Sequence, residues 1–535
     1  MRLRRLQIES FKNLKDLDID FDEASPFTVL VGENGAGKSN LIEALTLIFR
    51  NIDLDVDAPF SYEIEYHCRD RTVRVYAKEG RVPRFWASEP RQRDMHELSR
   101  KTFMSEDSES RPNYRPAFIF GYYSGPNQRL ADLYEKHRER FYTWIIKARN
   151  KRSSHVQDAN SLRRLFYAQN LHGQFALLAF FVSSGEGAER DRKFLREHLQ
   201  IEGLDSVLFA LKRPPWKGNS GDSRFWNAEG EVRDFLSRLY EAALMPMRMS
   251  RRMPVDLTKT PSIENLYLFL PGADALKRVY QTYSDQYAFF TALESTHLSK
   301  LLGEVRTRVR MTPAGGGGPV TYRDLSEGEQ QLLLVLGLLK FTARDEALFL
   351  LDEPDTHLNP AWSTQYLDFL SHFIQLRSRN DSCHIVMTTH DPLVFSGLER
   401  SQVRIFRRGT DGIAICDVPD QDPRGMGVAA ILTSDLFRLR TTLDKETQED
   451  LDRQRVLAMS NMSPEVRREL GELNKKLSGK GFSHTVRDPL YELFLKAWTE
   501  REDPEWREAV QLSPTDITNR ERLAATIVAD LRNSI

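Results

Sequence analysis

The stretch Gly32, Glu33, Asn34, Gly35, Ala36, Gly37, Lys38, Ser39, Asn40 constrains this chain more than any other. Phe27, Val29, Leu30 and Val31 before it predict a strand, and Leu41, Ile42, Ala44, Leu45 and Leu47 after it recur at helical spacing. A glycine-rich turn between strand and helix lets successive backbone N–H groups converge on a polyphosphate. Lys38 then reaches the outer phosphates, and the Ser39 hydroxyl is placed for magnesium. The complete G-x-x-x-x-G-K-S spacing makes an ordinary structural turn the weaker reading.

At 535 residues the chain exceeds one ordinary core, so two or three domains are expected. A net charge of -1 gives no overall pull toward nucleic acid, although local basic faces can hide in a neutral average. Cys68, Cys383 and Cys416 lack metal spacing, which argues against a zinc site or disulfide framework and suits a reducing cytosol. No apolar run is long enough to cross a bilayer and residues 1–6 lack a signal-peptide core, so the expectation is a cytoplasmic protein without membrane contact.

Along the chain, Leu3, Leu6 and Ile8 begin a strand whose antiparallel partner is 17–21, and 62–66 with 72–76 read as a hairpin. Residues 78–116 are polar and rich in Arg and Ser, which predicts loops. The apolar run 117–120 predicts a buried strand. Just past it, Gln128, or Asn127, is a candidate ligand for magnesium or its water; a plain turn on Gly125 and Pro126 is the competing reading. Residues 129–253 read as mostly helical, with basic clusters at 136–140, 147–152, 190–196 and 248–252 that are either solvated faces or nucleic-acid contacts. Val305, Thr307, Val309 and Met311 alternate with Arg306, Arg308 and Arg310, a strand with one basic face. Gly315 to Gly318 mark a hairpin tip.

Ser326 and Glu329 have capping-box spacing at the head of an apolar helix. Residues 347–351 form an apolar strand ending in Asp352 and Glu353. The first carboxylate suits magnesium, and the second suits orienting or deprotonating an attacking water. A further strand at 384–387 leads to His390, placed to contact a γ phosphate.

Together, Gly32 to Ser39, the segment L-S-E-G-E-Q at 325–330, Asp352 with Glu353, and His390 resemble the ABC ATPase set in its usual order. The wording is more similar to the soluble branch holding RecF, SMC-type and OLD-like ATPases than to transporters. That resemblance implies ATP and Mg²⁺ as cofactors and an α/β fold: a mixed-sheet ABC head with an antiparallel subdomain, a helical insertion and a helical C-terminal region. It implies that Ser326, Gly328 and Glu329 close over ATP held by a second copy, giving a homodimer or a higher even-numbered oligomer. Asp352 becomes the magnesium-side carboxylate, Glu353 the base and His390 the switch residue. The sequence His357-Leu358-Asn359-Pro360 departs from the H-L-H-P of related defence ATPases, so a second histidine has no counterpart here.

The expected divisions are 1–128 and 301–420 for the two parts of the head, 129–300 for a mainly helical insertion, and 421–535 for a helical region that could dock a partner. Sustained heptads are missing from the insertion, which counts against a long coiled-coil arm. Residues 403–407 and 413–417 suggest a closing hairpin. Residues 425–443 resemble the ATPase of Septu (PtuA-type) antiphage systems. Tyr491, Phe494 and Trp498 form either a core stripe or a docking surface, and Asp420 with Asp422 read as a loop rather than a nuclease site. The leading expectation is an ATPase that regulates a separate HNH-type nuclease in antiphage defence. The alternatives are a RecF-like repair ATPase contacting DNA and an ATP-holding scaffold with little turnover.

Overall fold

Three β-sheets organise the fold. The computed structural model describes residues 1–90, 92, 94–107, 113–147, 164–183, 186–216, 221–252, 262–342, 346–375, 383–460, 463–482, 494, 497–498, 500–508 and 513–533. These fall into two units, Met1–Val394 with Ser401–Val418, and Phe395–Arg400 with Pro419–Ile535. The first unit's strands are β1 (Arg2–Phe11), β2 (Leu14–Asp20), β3 (Phe27–Gly32), β4 (Tyr62–Cys68), β5 (Arg71–Ala77) and β6 (Arg84–Ser88). They continue as β7 (Met95–Leu98), β8 (Phe118–Tyr123), β9 (Leu165–Tyr167), β10 (Ile201–Lys212), β11 (Met247–Arg252) and β12 (Ser262–Leu270). The last are β13 (Leu302–Met311), β14 (Gly318–Thr321), β15 (Ala347–Asp352), β16 (Cys383–Thr388), β17 (Val403–Arg408) and β18 (Ala414–Asp417).

The seven-stranded sheet runs β18-β17-β3-β16-β15-β8-β9 and is parallel except at the β17–β18 hairpin. Every residue of β15 and β16 is buried. Burial on both faces explains why they read as unbroken apolar runs. Since each fully buried Leu or Val contributes about 1.5–3 kcal/mol, the central strands form a stiff support for the loops at their C-terminal ends.

An antiparallel sheet of order β2-β1-β4-β5-β6-β7 packs its apolar face on the helix Lys38–Leu54. The expected pairings of 3–8 with 17–21 and of 62–66 with 72–76 are present. Residues 78–116 are not all loop: β6 and β7 extend this sheet, and Phe85 stacks on Phe103. Their burial comes from partners distant in sequence, so composition misread them. Buried His384 pins the two sheets together, accepting from Leu3 N–H at Nδ1 (2.9 Å) and pairing through Nε2 with the Thr28 hydroxyl (3.0 Å).

The insertion carries the expected helices, among them Asn170–Val182, Gly230–Ala242 and Gln286–Leu298. It also contributes strands to a five-stranded antiparallel sheet, β11-β12-β10-β13-β14. Register shifts at three places along β10 interrupt its period of two, which hid a twelve-residue strand from pattern reading. Gly315 to Gly318 do turn the chain between β13 and β14.

In the second unit, helices Lys445–Met459 and Pro464–Gly479 are polar and are laced together by Arg453–Glu469 (2.8 Å) and Lys476 with Glu446 and Asp450 (2.6 and 2.7 Å). Ser463 caps the second of these helices, and Ser513 precedes the helix Pro514–Asn533. Phe494 and Trp498 pair at 5.9 Å, while Tyr491 lies outside the described residues.

Candidate active site

At the end of β3 the chain needs backbone that side-chained residues avoid. Gly32 has φ +144°, and a Cβ there would fall 1.9 Å from the Phe406 carbonyl oxygen on β17. The following turn leads to Gly37, which caps the helix Lys38–Leu54 without any side-chain hydrogen bond, and no acid occupies the first helical turn. Helix N–H groups with no side-chain cap and no acid in their own first turn make a ready anion receiver. Asn13, from the β1–β2 turn, braces the loop by donating to the Gly35 carbonyl (3.2 Å), and Asn40 donates to Asn13 (2.7 Å).

Lys38 folds back to donate to the Gly32 and Glu33 carbonyls at 2.8 and 3.0 Å. Burial pushes its ammonium down to about 8, against the opposing pull of Glu353, Asp352 and Glu33. The Ser39 hydroxyl donates to Asp352 Oδ1 (3.1 Å), so residues 313 positions apart meet beside one crevice. Thr388, at the end of β16, fixes the same oxygen (2.6 Å) and accepts from Glu353 N–H (2.9 Å). Glu353 sits at φ +53°, a left-handed conformation worth about 1–3 kcal/mol of strain for a residue with a side chain. Bonds to its N–H and its carbonyl hold it there, the latter from Thr356 at 2.9 Å.

Burial, reinforced by Asp352, raises the Glu353 carboxyl above the usual range, with Lys38 opposing. His390 Nε2 lies 3.7 Å from Glu353 Oε1. Proximity to a carboxylate favours imidazolium, but burial and Lys38 win and hold His390 down to about 4. At neutral pH it is therefore a neutral hydrogen-bonding group. Buried Asp355, held by the Thr389 hydroxyl, is pushed up to about 7 by desolvation.

A small cavity of about 40 Å³ beside Ser39 and Asp352 is lined by Glu43, Tyr123, Asn127 and Arg129. Of the two candidate amides, Asn127 lines it; Gln128 is exposed and does not. The oxygen donors Ser39 and Asp352 suit a hard divalent cation. Asn13 and Thr388 were missed by sequence reading. The run T-T-H-D hinted at Thr388, but nothing local marked Asn13.

The capping box also forms: Ser326 N–H and Oγ donate to Glu329 Oε2 (2.7 and 2.8 Å), and Glu329 N–H donates back to Ser326 Oγ (3.3 Å). Gly328 lies against the loop after β15, where a Cβ would meet the His357 carbonyl oxygen at 2.4 Å. Buried Gln331 joins the same loop, donating to the Glu353 carbonyl (3.4 Å) and accepting from His357 N–H (3.1 Å). Among the described residues, no hydrogen bond or ion pair links residues 325–331 to residues 32–39.

Elsewhere, Arg248 is paired with Glu264 (2.7 Å) and stacked over Trp226, while the side chains of Arg251 and Arg252 lie outside the described residues, as does most of 147–152. Asp420 and Asp422 tie backbone: Asp420 N–H donates to Asp435 (3.0 Å), and Asp422 accepts from Arg400 N–H (2.7 Å). Asp435, Arg438 and Arg440 line a cavity of about 620 Å³ in the second unit. Among the described residues no helix is long and apolar enough to cross a membrane, and no metal-binding cluster of His, Cys, Asp and Glu occurs.

With this geometry in hand, residues 27–396 match the family described as "AAA domain, putative AbiEii toxin, Type IV TA system". The Septu protein PtuA of Bacillus mycoides is 29% identical over 164 residues, 29% of this chain and 22% of that protein. RecF, the DNA replication and repair protein, of a Synechococcus strain is 50% identical over 48 residues, 9% of this chain and 12% of RecF. The matched stretches thus span well under two thirds of these relatives. Among solved structures, the SMC head domain from Thermotoga maritima has 13% identity and a TM-score of 0.31, covering 78% of this chain and 99% of that one.

Proposed function

This chain belongs to the AAA-domain family whose model spans residues 27–396, and from that membership we propose an ATP-driven regulator of a partner nuclease in antiphage defence. It is an ABC-type ATPase of the RecF and SMC branch. The observation that carries the proposal is the separation just described: one chain holds a phosphate loop and, unconnected to it, an exposed capped helix start. Two copies arranged head to tail would complete each other's sites, so ATP would report through association.

In this reading the loop amides of residues 32–37 and Lys38 bind the phosphates. Ser39 and Asp352 would hold Mg²⁺, with Asn127 beside it, and the ion would screen the phosphate charge. Glu353 accepts the proton of the attacking water, a role favoured by its raised proton affinity. Neutral His390 donates a hydrogen bond toward the γ phosphate. Ser326, Gly328 and the backbone of Glu329 of the second copy meet that phosphate from the other side.

Glu353→Gln keeps the shape and removes the base, so with ATP and magnesium it should accumulate a stable dimer in sedimentation velocity, while Lys38→Ala remains at the nucleotide-free size. A monomeric Glu353→Gln protein under saturating ATP would sink the shared site.

The nuclease link is supported by the likeness to the Septu protein over 164 residues and by the Septu-like segment that lines the cavity of the second unit. Cutting is assigned to an HNH-type partner, and ATP-dependent cleavage by the co-purified pair is its test. The RecF likeness favours a second reading, a DNA-repair ATPase. DNA-stimulated hydrolysis by the chain alone, with no nuclease partner, would select it.

A further inference from the structure

The five-stranded sheet has two unlike faces. Val305, Thr307 and Val309 of β13 are almost fully buried on one, and Thr307 donates to Gln174 there. On the other, Arg306 and Arg308 are 61% and 50% exposed, and Arg310 is exposed too. Alternate residues in a strand stand about 6.8 Å apart, so these guanidinium groups form an evenly spaced row. The pairing carries the same face across the sheet. Arg306 lies opposite Leu208 of β10, and Leu208 opposite Phe269 of β12; Ala210 lies opposite Tyr267, which in turn faces Met247. Phe269 is 39% exposed. A basic row and an aromatic strip therefore run side by side, about two strand spacings or ~9.6 Å apart.

Charge on this face is lopsided. Lys212, Arg306, Arg308, Arg310 and, at its border, Arg323 are opposed by Glu304 and Asp205. Glu304 is shared between Arg306 and Arg323 at 2.9 Å each, and Asp205 stands 3.9 Å from Arg308. Exposed pairs of this kind exchange partners readily. Arg310 makes no ion pair among the described residues.

We propose that this face is a track for single-stranded nucleic acid, with Arg306, Arg308 and Arg310 meeting successive phosphates and Tyr267 and Phe269 stacking under unpaired bases. A duplex would satisfy the arginines but offer no free base to the aromatics. An acidic protein segment is the competing occupant, since it too would match the arginines. None of these residues belongs to the ATP site, so failure here leaves the ATPase assignment standing.

The test uses the full chain and a fluorescent oligo(dT) of about 30 nucleotides, long enough for several OB-sized footprints, read by anisotropy across a salt series. For single strands the slope of log K against log salt is about −0.7 per phosphate contact, so R306Q/R308Q/R310Q should reduce it by about 2. Y267A/F269A should weaken binding by at least about thirtyfold at unchanged slope. Basal ATP turnover should stay within about twofold of wild type in both. Because a variant could misfold, photocrosslinking of wild-type protein to 4-thio-dT provides a second measurement and should label peptides from β10, β12 or β13. An unchanged slope in the triple variant, crosslinks confined elsewhere, equal affinity for a duplex, or equal competition by polyglutamate would each overturn the proposal.

Discussion

Two helices of this chain begin on glycine-containing turns, and their first turns are built in opposite ways. Lys38–Leu54 starts at Gly37 with no capping side chain and no acid, its loop braced from outside by Asn13 and by the β17 backbone against Gly32. Glu327–Thr342 starts with two acids, Glu327 and Glu329, and closes its own end through the Ser326–Glu329 box. The first N-terminus is open to an anion as it stands. The second is satisfied internally, and in the proposed shared site it would have to give up the Glu329 carboxylate before a phosphate took its place. The same local motif, a turn opening a helix, is therefore a standing receiver in one case and a latch in the other.

Breaking the receiver should have the largest effect. Lys38→Ala removes the buried cation, and ATP affinity should fall by at least about a hundredfold by calorimetry, consistent with losing a charge-assisted contact of roughly 3 kcal/mol. In the same assay Ser326→Ala should leave the affinity of the lone chain within about threefold; comparable losses in both would erase the distinction between the two ends.

Opening the latch is the next step down. Glu329→Gln keeps the box geometry but removes a negative charge from the path of the phosphate, so ATP-driven association should tighten by about three- to tenfold in sedimentation. Weaker association would mean that the carboxylate itself belongs to the closed state.

The smallest effect is in pH. With the free Lys38 ammonium pushed down to about 8 and bound phosphate favouring its charged form, ATP binding must take up a proton above that pH. Affinity should be level below about 8 and decline above it, approaching tenfold per pH unit. Calorimetry in buffers of different ionisation heat should show proton uptake at pH 8.5 that Lys38→Arg abolishes.

How much of this could be read beforehand depends on where the partners lie. The loop 32–39, the box at 326–329 and the strands expected at 347–351 and 384–387 are local patterns, and the two strands form there with one or two residues added at their ends. The strands β6 and β7 were hidden because their neighbours are supplied from elsewhere in the sheet. β10 was hidden because its bulges break the alternation. Gln128 was the favoured amide by position, whereas Asn127 is the one lining the cavity. Of the four basic clusters that the sequence leaves as solvated faces or nucleic-acid contacts, the one at 248–252 has Arg248 occupied by Glu264 and Trp226. The alternating arginines of β13 occupy the open face instead.

The sequence by itself determined the chemistry of the site: spacing alone specifies a phosphate loop, a pair of carboxylates after an apolar strand, and a self-capping helix, because each depends on residues within a few positions of one another. Only the tertiary structure decided what those groups experience. It brought Ser39 to Asp352 across 313 positions, set His390 close enough to the crevice wall and Lys38 to hold it neutral, twisted Glu353 into a strained turn, and laid Gly328 on the loop after β15. Burial, strain and juxtaposition are properties of packing, and packing is settled by contacts that no local pattern contains.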